Sequence, residues 1–438
     1  MKTLYFKDLP RYYDQEIEIS GFVDKIRDLQ YVQFLVVRDS SGKVQVTIEK
    51  NDANRTMNEI VSHLTKESTV CVKGILKESP NVKLRGMELI PSSIEVTSVS
   101  EEQLPIDILD YTKDTDKEIR LDNRFLDLRT EKNYLIFKAQ TLCEAAMREY
   151  WLENNFIEIH SPKILGTASE SGAEVFKLDY FGRTVYLAQS PQFYKQMAMA
   201  AGFNNVFEIG PVFRAENSHT AYHATEFTSV DCEISWIKSH HDVMDVEEAF
   251  CKRMLKKLKE NIDEDYQRLF NRSISLNDVA FPRIPFAECK RIIQEKYHYT
   301  GEKPHDIDRK EEELIGLYAK KEFGSDFVFV TDYPFAARPF YHMLDENGVT
   351  KSFDLLYCGV EITTGAQREH RIEILKKQAL EKGLSLASID FYLNFFRYGV
   401  PPHGGLGFGL TRFLMKLFQT ESIREVTLLY RGPNRVNP

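Results

Sequence analysis

The sequence predicts an α+β chain of two parts, and three observations carry that expectation. The first hundred residues alternate apolar and polar positions at the period of β-strands. A charged linker then gives way to a long amphipathic helix. Beyond residue 150, short strand patterns mix with helices and with a glycine-rich segment. At 438 residues, 42% hydrophobic and 28% charged, the chain has the composition of a globular protein with more than one domain.

Composition excludes several classes. The start, Met1-Lys2-Thr3-Leu4-Tyr5-Phe6-Lys7-Asp8, does not resemble a signal peptide. No apolar run approaches the roughly 20 residues that span a bilayer, so no membrane association and a cytoplasmic location are expected. The six cysteines are scattered, without Cys-x-x-Cys or close Cys/His spacing, which fits free thiols rather than a disulfide framework or zinc. A net charge of −9 disfavours indiscriminate nucleic-acid binding but leaves room for a local basic surface.

The elements follow in order. Ile17, Ile19 and Phe22 alternate around Gly21; Val32, Phe34 and Val36 alternate; Ser40-Ser41-Gly42 turns the chain into Val44, Val46 and Ile48. A polar helix over 53–65 precedes strands at Ser68–Leu76 and Met87–Ser98. Three strands, a helix and two strands match a five-stranded oligonucleotide-binding barrel, with another small barrel as the alternative. In the helix from Tyr134 to Trp151, Leu135, Ile136, Ala139, Leu142, Cys143, Ala146 and Met147 fall at helical spacing. That stripe must be buried, in its own core or against another subunit. A strand, Phe156–Ile159, leads to Ser161-Pro162. Residues 240–325 read as charged helices without chemistry, and His240-His241 as a surface feature, since adjacent helical residues do not face each other.

Two stretches carry chemistry. Phe213 to Phe227 gathers a guanidinium, Arg214, with Glu216, His219, His223 and the Phe227 ring. Arg214 suits a phosphate or carboxylate, Glu216 an exocyclic amine and Phe227 a purine face; a solvated hairpin with an incidental ion pair is the alternative. Gly405-Leu406-Gly407-Phe408-Gly409-Leu410-Thr411-Arg412 runs directly into a helix, placing Arg412 in its first turn. Glycines admit close approach of backbone to a ligand.

Phe213-Arg214-Ala215-Glu216 with His223 and Phe227 resembles the second signature of class II aminoacyl-tRNA synthetases, and Gly405 to Arg412 is similar to the third. The Tyr134–Trp151 helix with the strand ending at Pro162 resembles the first, which forms the dimer interface in that family. The barrel, the Arg124-Phe125-Leu126-Asp127-Leu128-Arg129 hinge and the following domain are similar in order to the aspartyl/asparaginyl/lysyl subgroup. The resemblance implies an OB-fold anticodon-binding domain over 1–104, a hinge over 105–130 and a class II catalytic domain over 131–438. That domain is expected on an antiparallel sheet flanked by helices, with a helical insertion about 240–325, in a homodimer.

The substrate follows from charge. Gln189 to Gln196 carries Lys195 in an otherwise uncharged stretch, and Gly359 to Arg368 ends in a guanidinium. A buried carboxylate needs paired, hydrogen-bonded cations, and Lys195 with Arg368 would supply them. These stretches resemble archaeal-type aspartyl-tRNA synthetases. That implies ATP-dependent attachment of L-aspartate to tRNA(Asp) through an aspartyl-adenylate, with tRNA(Asn) as a further acceptor left open. By the same resemblance, Arg214 bridges α-phosphate and aspartate, with Glu361 and Arg412 as the other catalytic residues. Glu170, Gln192, Asp231, Thr364, Lys195 and Arg368 hold aspartate, with Glu233 behind them. Glu216, Tyr222, His223, Phe227, Glu361, Gly409 and Arg412 bind ATP; Asp354, Glu361 and Thr364 hold Mg²⁺; Phe34 and Gln45 read the anticodon.

The sequence departs from the family pattern at four places. Ser171 stands where glycine is common, Thr364 where serine is common, and Tyr222 where an arginine usually precedes His223. Asp24 lies where some archaeal relatives carry a tryptophan linked to rejecting tRNA(Asn). Three other readings stay open: an asparaginyl-tRNA synthetase, a tRNA-independent amidoligase making asparagine, and a non-catalytic RNA-binding paralogue. The barrel disfavours the amidoligase, which needs no anticodon reader.

Overall fold

The computed structural model describes residues 4–108, 115–167, 174–217 and 220–437. The chain divides into two compact units, Met1–Tyr134 and Leu135–Pro438.

In the first unit, β1 (Glu16–Asp28), β2 (Val32–Asp39), β3 (Gly42–Glu49), β4 (Thr69–Glu78) and β5 (Met87–Ser98) close into a barrel in the order β1-β2-β3-β5-β4. α1 (Arg55–Ser62) lies between β3 and β4 in the chain. β1 spans 13 residues and pairs with both β2 and β4, bending at a bulge between Val23 and Lys25. Glycine is required at position 21, where a Cβ would lie 2.4 Å from the Arg38 carbonyl oxygen. The apolar trio Val32, Phe34 and Val36 faces outward; Gln33, Leu35 and Val37 point into the barrel. Phe22, expected to continue the Ile17/Ile19 alternation, is only partly buried. Its ring packs under the Arg38 and Arg129 guanidiniums at 5.3 and 4.4 Å.

The charged segment before the second unit forms α2 (Lys117–Asp122) and α3 (Arg124–Asp127). Part of its charge is internal: Arg124 and Asp127 are buried and ion-paired, and Arg120 Nε donates to Asp127 at 3.0 Å. Glu67 accepts from Arg38 at 2.6 Å and from Arg129 at 2.9 Å, so one buried carboxylate ties the hinge to the barrel wall.

α4 (Glu131–Glu153) carries the long apolar stripe, and Leu135, Ile136, Ala139, Cys143, Ala146, Met147 and Trp151 bury it in the second unit's own core. β6 (Ile157–Glu158) follows, then a three-stranded sheet of β7 (Ile164–Leu165), β8 (Lys177–Tyr180) and β9 (Arg183–Leu187) in the order β7-β9-β8. After α5 (Gln192–Ala200) come β10 (Asn205–Phe213), β11 (Glu226–Ser235), α6 (His240–Phe270), β12 (Arg283–Pro285), α7 (Phe286–Tyr297) and α8 (Arg309–Phe323). The chain ends through β13 (Phe327–Thr331), β14 (Ser352–Tyr357), β15 (Val360–Arg368), α9 (Ile372–Glu381), α10 (Asp390–Phe395), β16 (His403–Phe408), α11 (Leu410–Phe418) and α12 (Ile423–Val426).

Eight strands form the main sheet, β12-β13-β14-β15-β16-β11-β10-β6. It is antiparallel from β13 to β10, while the edge strands β12 and β6 pair in parallel. The stretch expected as a helical insertion supplies a core helix instead: Val243, Met244, Phe250, Cys251, Met254, Leu255 and Leu258 of α6 are buried with the α4 stripe. Charged residues on the outer face of α6 mask that stripe in the sequence. His240 corrects a second expectation. It is buried, with Nε2 3.4 Å from Asp332 Oδ1 and its ring 4.5 Å from that of His241. The pair opens α6 directly after the extended Ser239, where mid-helix spacing does not govern the two rings.

Trp151 anchors the α4–α6 core: its indole stacks on Phe207 at 4.6 Å and meets Phe250 edge-on at 5.5 Å. Trp151→Ala should cost about 3–5 kcal/mol in a denaturation titration. Trp151→Phe should cost far less, because the buried indole N–H that it removes has no acceptor among the described residues.

Candidate active site

Three adjacent strands build the floor of one cavity of about 260 Å³. Asp231 on β11 sits opposite Gly407 on β16, which in turn sits opposite Thr364 on β15. Glu233 opposes Gly405, and Arg368 opposes His403. Two-residue periodicity puts Asp231 with Glu233, and Thr364 with Arg368, on common faces. α5 brings Lys195 up beneath this floor.

The resulting cluster contains two cations and two carboxylates, all at most 4% exposed. Lys195 Nζ donates to Asp231 Oδ1 at 2.9 Å and to the Leu406 carbonyl at 3.0 Å, and lies 3.4 Å from Glu233 Oε2. Arg368 donates through Nε to Glu233 at 3.0 Å and through Nη2 to the Gly405 carbonyl at 3.0 Å. Glu233 therefore lies between both cations. Burial alone would raise its carboxyl, but Arg368 and Lys195 outweigh burial and hold it below the usual carboxylate range. Burial likewise pulls Lys195 down, and Asp231 and Glu233 more than reverse the effect.

This cluster explains the glycine-rich strand. A Cβ at Gly405 would lie 2.1 Å from Glu233 Oε2 and 2.1 Å from the Cys232 carbonyl oxygen. One at Gly407 would lie 3.2 Å from Asp231 Oδ1. The first two glycines thus make room for buried carboxylates, while Gly409 and Arg412 face the cavity.

Behind the floor runs a chain of fixed hydrogen bonds. Gln192 Nε2 donates to Gln196 Oε1 at 3.1 Å, and Tyr392 OH donates to the same oxygen at 3.0 Å. Gln196 Nε2 then has only its hydrogens to offer His403 Nε2, 3.0 Å away, so that nitrogen accepts. His403 Nδ1 carries the proton and donates to the Pro401 carbonyl at 2.8 Å. The order turns the Gln192 carbonyl oxygen away from Gln196, and Gln192 lines the cavity.

The other end is more open. Arg214, whose side chain is 42% exposed, lies 5.5 Å over the Phe227 ring and 3.8 Å from Glu216 Oε1. His223 Nε2 is 3.6 Å from Glu216 Oε2; burial lowers its pKa, Glu216 opposes this, and Arg412 and Arg214 reinforce it. Arg412 Nη1 donates to the Glu361 carbonyl oxygen at 3.1 Å and lies 3.5 Å from Glu361 Oε1, which accepts from Thr364 Oγ1 at 3.4 Å. Burial, then Asp354, raises the Glu361 carboxyl above its ordinary range.

Of the expected site residues, Gln192, Arg214, Glu216, Tyr222, His223, Phe227, Asp231, Glu361, Thr364, Arg368, Gly409 and Arg412 line this one cavity. Glu170 lies outside the described residues, as do Ser171 and His219. Two expectations need correction. Lys195 is not on the wall: its ammonium is buried behind Asp231, where it donates to that carboxylate and to the Cys232 and Leu406 carbonyls. Asp354 is not there either, since both its oxygens accept from Arg338. Phe34 and Gln45 lie in the other unit, on the outer faces of the paired strands β2 and β3. Sequence reading missed Gln196, His342, Tyr392 and His403. Only Gln196 left a signal, at helical i+4 spacing from Gln192.

His403 offers a stability test. Burial pushes its imidazole from the usual 6.5 down to about 4. The unfolded chain therefore binds a proton first as pH falls, so this stabilisation is complete above pH 6.5 and lost progressively toward pH 4. In His403→Gln, the acid-side loss of stability over that window should be shallower than in the parent, read by denaturant midpoints at successive pH values.

Comparison with known proteins agrees with this geometry. The model of tRNA synthetases class II (D, K and N) matches residues 116–431, and that of an OB-fold nucleic acid binding domain matches residues 17–97. The chain is 41% identical over 442 residues to the aspartate–tRNA(Asp/Asn) ligase of Methanopyrus kandleri, covering 100% of both chains. It is 41% identical over 430 residues to the aspartate–tRNA(Asp) ligase of Pyrococcus abyssi, covering 97% of this chain and 96% of the relative. The structure of asparaginyl-tRNA synthetase from Pyrococcus horikoshii complexed with asparaginyl-adenylate superposes with a TM-score of 0.93 at 31% identity, covering 100% of both. With a class II match over most of its length and an OB-fold ahead of it, the chain belongs to the class II tRNA synthetases of the D, K and N group.

Proposed function

We propose that this chain attaches L-aspartate to tRNA(Asp), with ATP as the activating substrate and aspartyl-adenylate as the intermediate. The observation that carries the amino-acid choice is the pair of buried cations, Lys195 and Arg368, around one carboxylate, Glu233. Arg368 lines the cavity and offers a guanidinium to an incoming side-chain carboxylate. Lys195 acts from beneath, holding Asp231 in place toward the substrate ammonium, which the Gln192 carbonyl oxygen also accepts. A lysine side chain would meet like charge at Arg368. An asparagine amide would offer Arg368 one neutral acceptor in place of a charged pair of oxygens, which favours aspartate over the asparaginyl reading.

In the first step a carboxylate oxygen of aspartate attacks the α-phosphorus of ATP, the α–β bridging P–O bond breaks, and pyrophosphate leaves. Arg214 neutralises charge developing on the α-phosphate, and Glu216 and Phe227 hold the adenine amine and face. His223 and Arg412 sit toward the terminal phosphates. In the second step the 3′-hydroxyl oxygen of the tRNA attacks the activated carbonyl, the C–O bond to the phosphate breaks, AMP leaves with the electron pair, and the hydroxyl proton is released. The protein supplies positioning and charge rather than covalent participation.

Mg²⁺ fits this site through Glu361 and Thr364. Together they present hard oxygen donors on the cavity wall, and a cation that takes its other ligands from phosphates and water needs no more than one or two carboxylates. Asp354 does not fit as a direct ligand while Arg338 holds both its oxygens. When bound, Mg²⁺ would neutralise phosphate charge. The Phe34 and Gln45 surface fits an unstacked base, with an aromatic face beside an amide. The family resemblance also supports a homodimer and a cytoplasmic location. Among the described residues, no helix is long and apolar enough to cross a membrane.

Charging of tRNA(Asn) is a second reading with an observation in its favour. Asp24 is buried and bound to Lys43 at 3.0 Å, so position 24 offers no side chain to an RNA base. Aminoacylation of purified aspartate and asparagine tRNAs with aspartate, side by side, tests both. The expected result is charging of tRNA(Asp), with tRNA(Asn) charged at a comparable rate under the second reading; charging of neither would refute the proposal. Arg214→Ala should lower aspartate-dependent activation by about a hundredfold or more, as expected for a donor aimed at developing charge. Full activity in that variant would contradict the role given to Arg214.

A further inference from the structure

One cation near the nucleotide end has no role in the site described so far. Arg309, the first residue of α8, lies with its guanidinium 4.4 Å over the ring of Tyr222 and donates through Nη2 to the Tyr222 hydroxyl at 3.2 Å. Through Nη1 it donates to Glu312 Oε2 at 2.7 Å. The same Glu312 oxygen accepts the backbone N–H of Glu361 at 2.9 Å. Tyr222 and Glu361 both line the cavity. Arg309 is therefore joined to the wall at two points, and its side chain, one-third exposed, retains a second N–H on each of Nη1 and Nη2 beyond those two bonds.

Charge placement gives this arrangement a purpose. Glu361 on the cavity wall, with Glu312 behind its backbone, adds carboxylates beside the nucleotide end, unfavourable to a triphosphate unless cations offset them. Arg412 offsets Glu361, and Arg309 offsets Glu312. Tyr222 occupies the position at which the family resemblance gives an arginine. The ring is flat, half-buried and correctly placed to carry a guanidinium delivered from α8.

We propose that Arg309, seated on Tyr222 and Glu312, is a binding residue for the terminal phosphates of the nucleotide. The proposal rests on the ATP site described above and adds a cation from a helix that the second and third signatures do not include. It assigns Tyr222 the role of a platform for that cation, in place of a direct phosphate contact.

Equilibrium binding of ATP and of AMP, measured by calorimetry without amino acid, tests it in the full chain. Arg309→Ala should weaken ATP binding about tenfold, the loss of one charge-assisted contact, and change AMP binding less than about twofold. Unchanged AMP binding also reports that the fold is intact. Returning a guanidinium from the other side, in Tyr222→Arg with Arg309→Ala, should recover most of the ATP affinity. ATP binding unaffected by Arg309→Ala, equal loss for ATP and AMP, or a double variant as weak as Arg309→Ala would each overturn the proposal. Because no amino acid is present, a failure of the aspartate reading would leave this result unaffected.

Discussion

The carboxylate of Glu233, fully buried between Lys195 and Arg368, is the constraint on which the rest of the catalytic unit depends. A lone buried charge of this kind is untenable, and removing one partner from such a cluster costs about 3–5 kcal/mol. The fold has to deliver two cations to one point from elements far apart in sequence. Arg368 ends β15, Lys195 comes from α5, and Glu233 lies on β11 with β16 between it and β15. Gly405 is the strand's concession to that geometry, since any side chain there would occupy the carboxylate's place.

The two ends of the cavity differ in how firmly they are built. At the amino-acid end every charge has partners, and the Gln192–Gln196–His403 chain fixes which groups donate and which accept. Such preorganisation favours selectivity, because a side chain that fails to match the cluster leaves a buried charge unmatched. At the nucleotide end, Arg214 rests over Phe227 and Arg412 over Glu361, with side chains 42% and 25% exposed. Those guanidiniums are held near, without being consumed by, protein acceptors. A polyanion can therefore take them over at small cost in broken contacts.

Much of this was legible in the sequence, and the reasons for the exceptions are physical. Strand periodicity located all five barrel strands, but Val32, Phe34 and Val36 alternate on the outer face, where apolar side chains also alternate. The α4 stripe was plain because its apolar residues are not interleaved with charge at the same spacing; α6 hid an equally buried stripe behind lysines and glutamates. The signature residues Arg214, Glu216, His223, Phe227 and Arg412 do converge on one cavity. Burial depth was not legible: nothing in the sequence shows that Lys195 lies beneath Asp231, or that Asp354 is held by Arg338 from a loop. Arg309 could not have been anticipated, since its link to Tyr222 joins positions 87 residues apart.

Amino-acid-dependent exchange of pyrophosphate into ATP measures the central claim most directly, because it reports adenylate formation without tRNA. A site in which Arg368 faces a substrate carboxylate, with Lys195 beneath the floor, should support exchange with aspartate and give little with asparagine or lysine. Exchange driven by asparagine and not by aspartate would contradict the assignment of Arg368 to a carboxylate substrate.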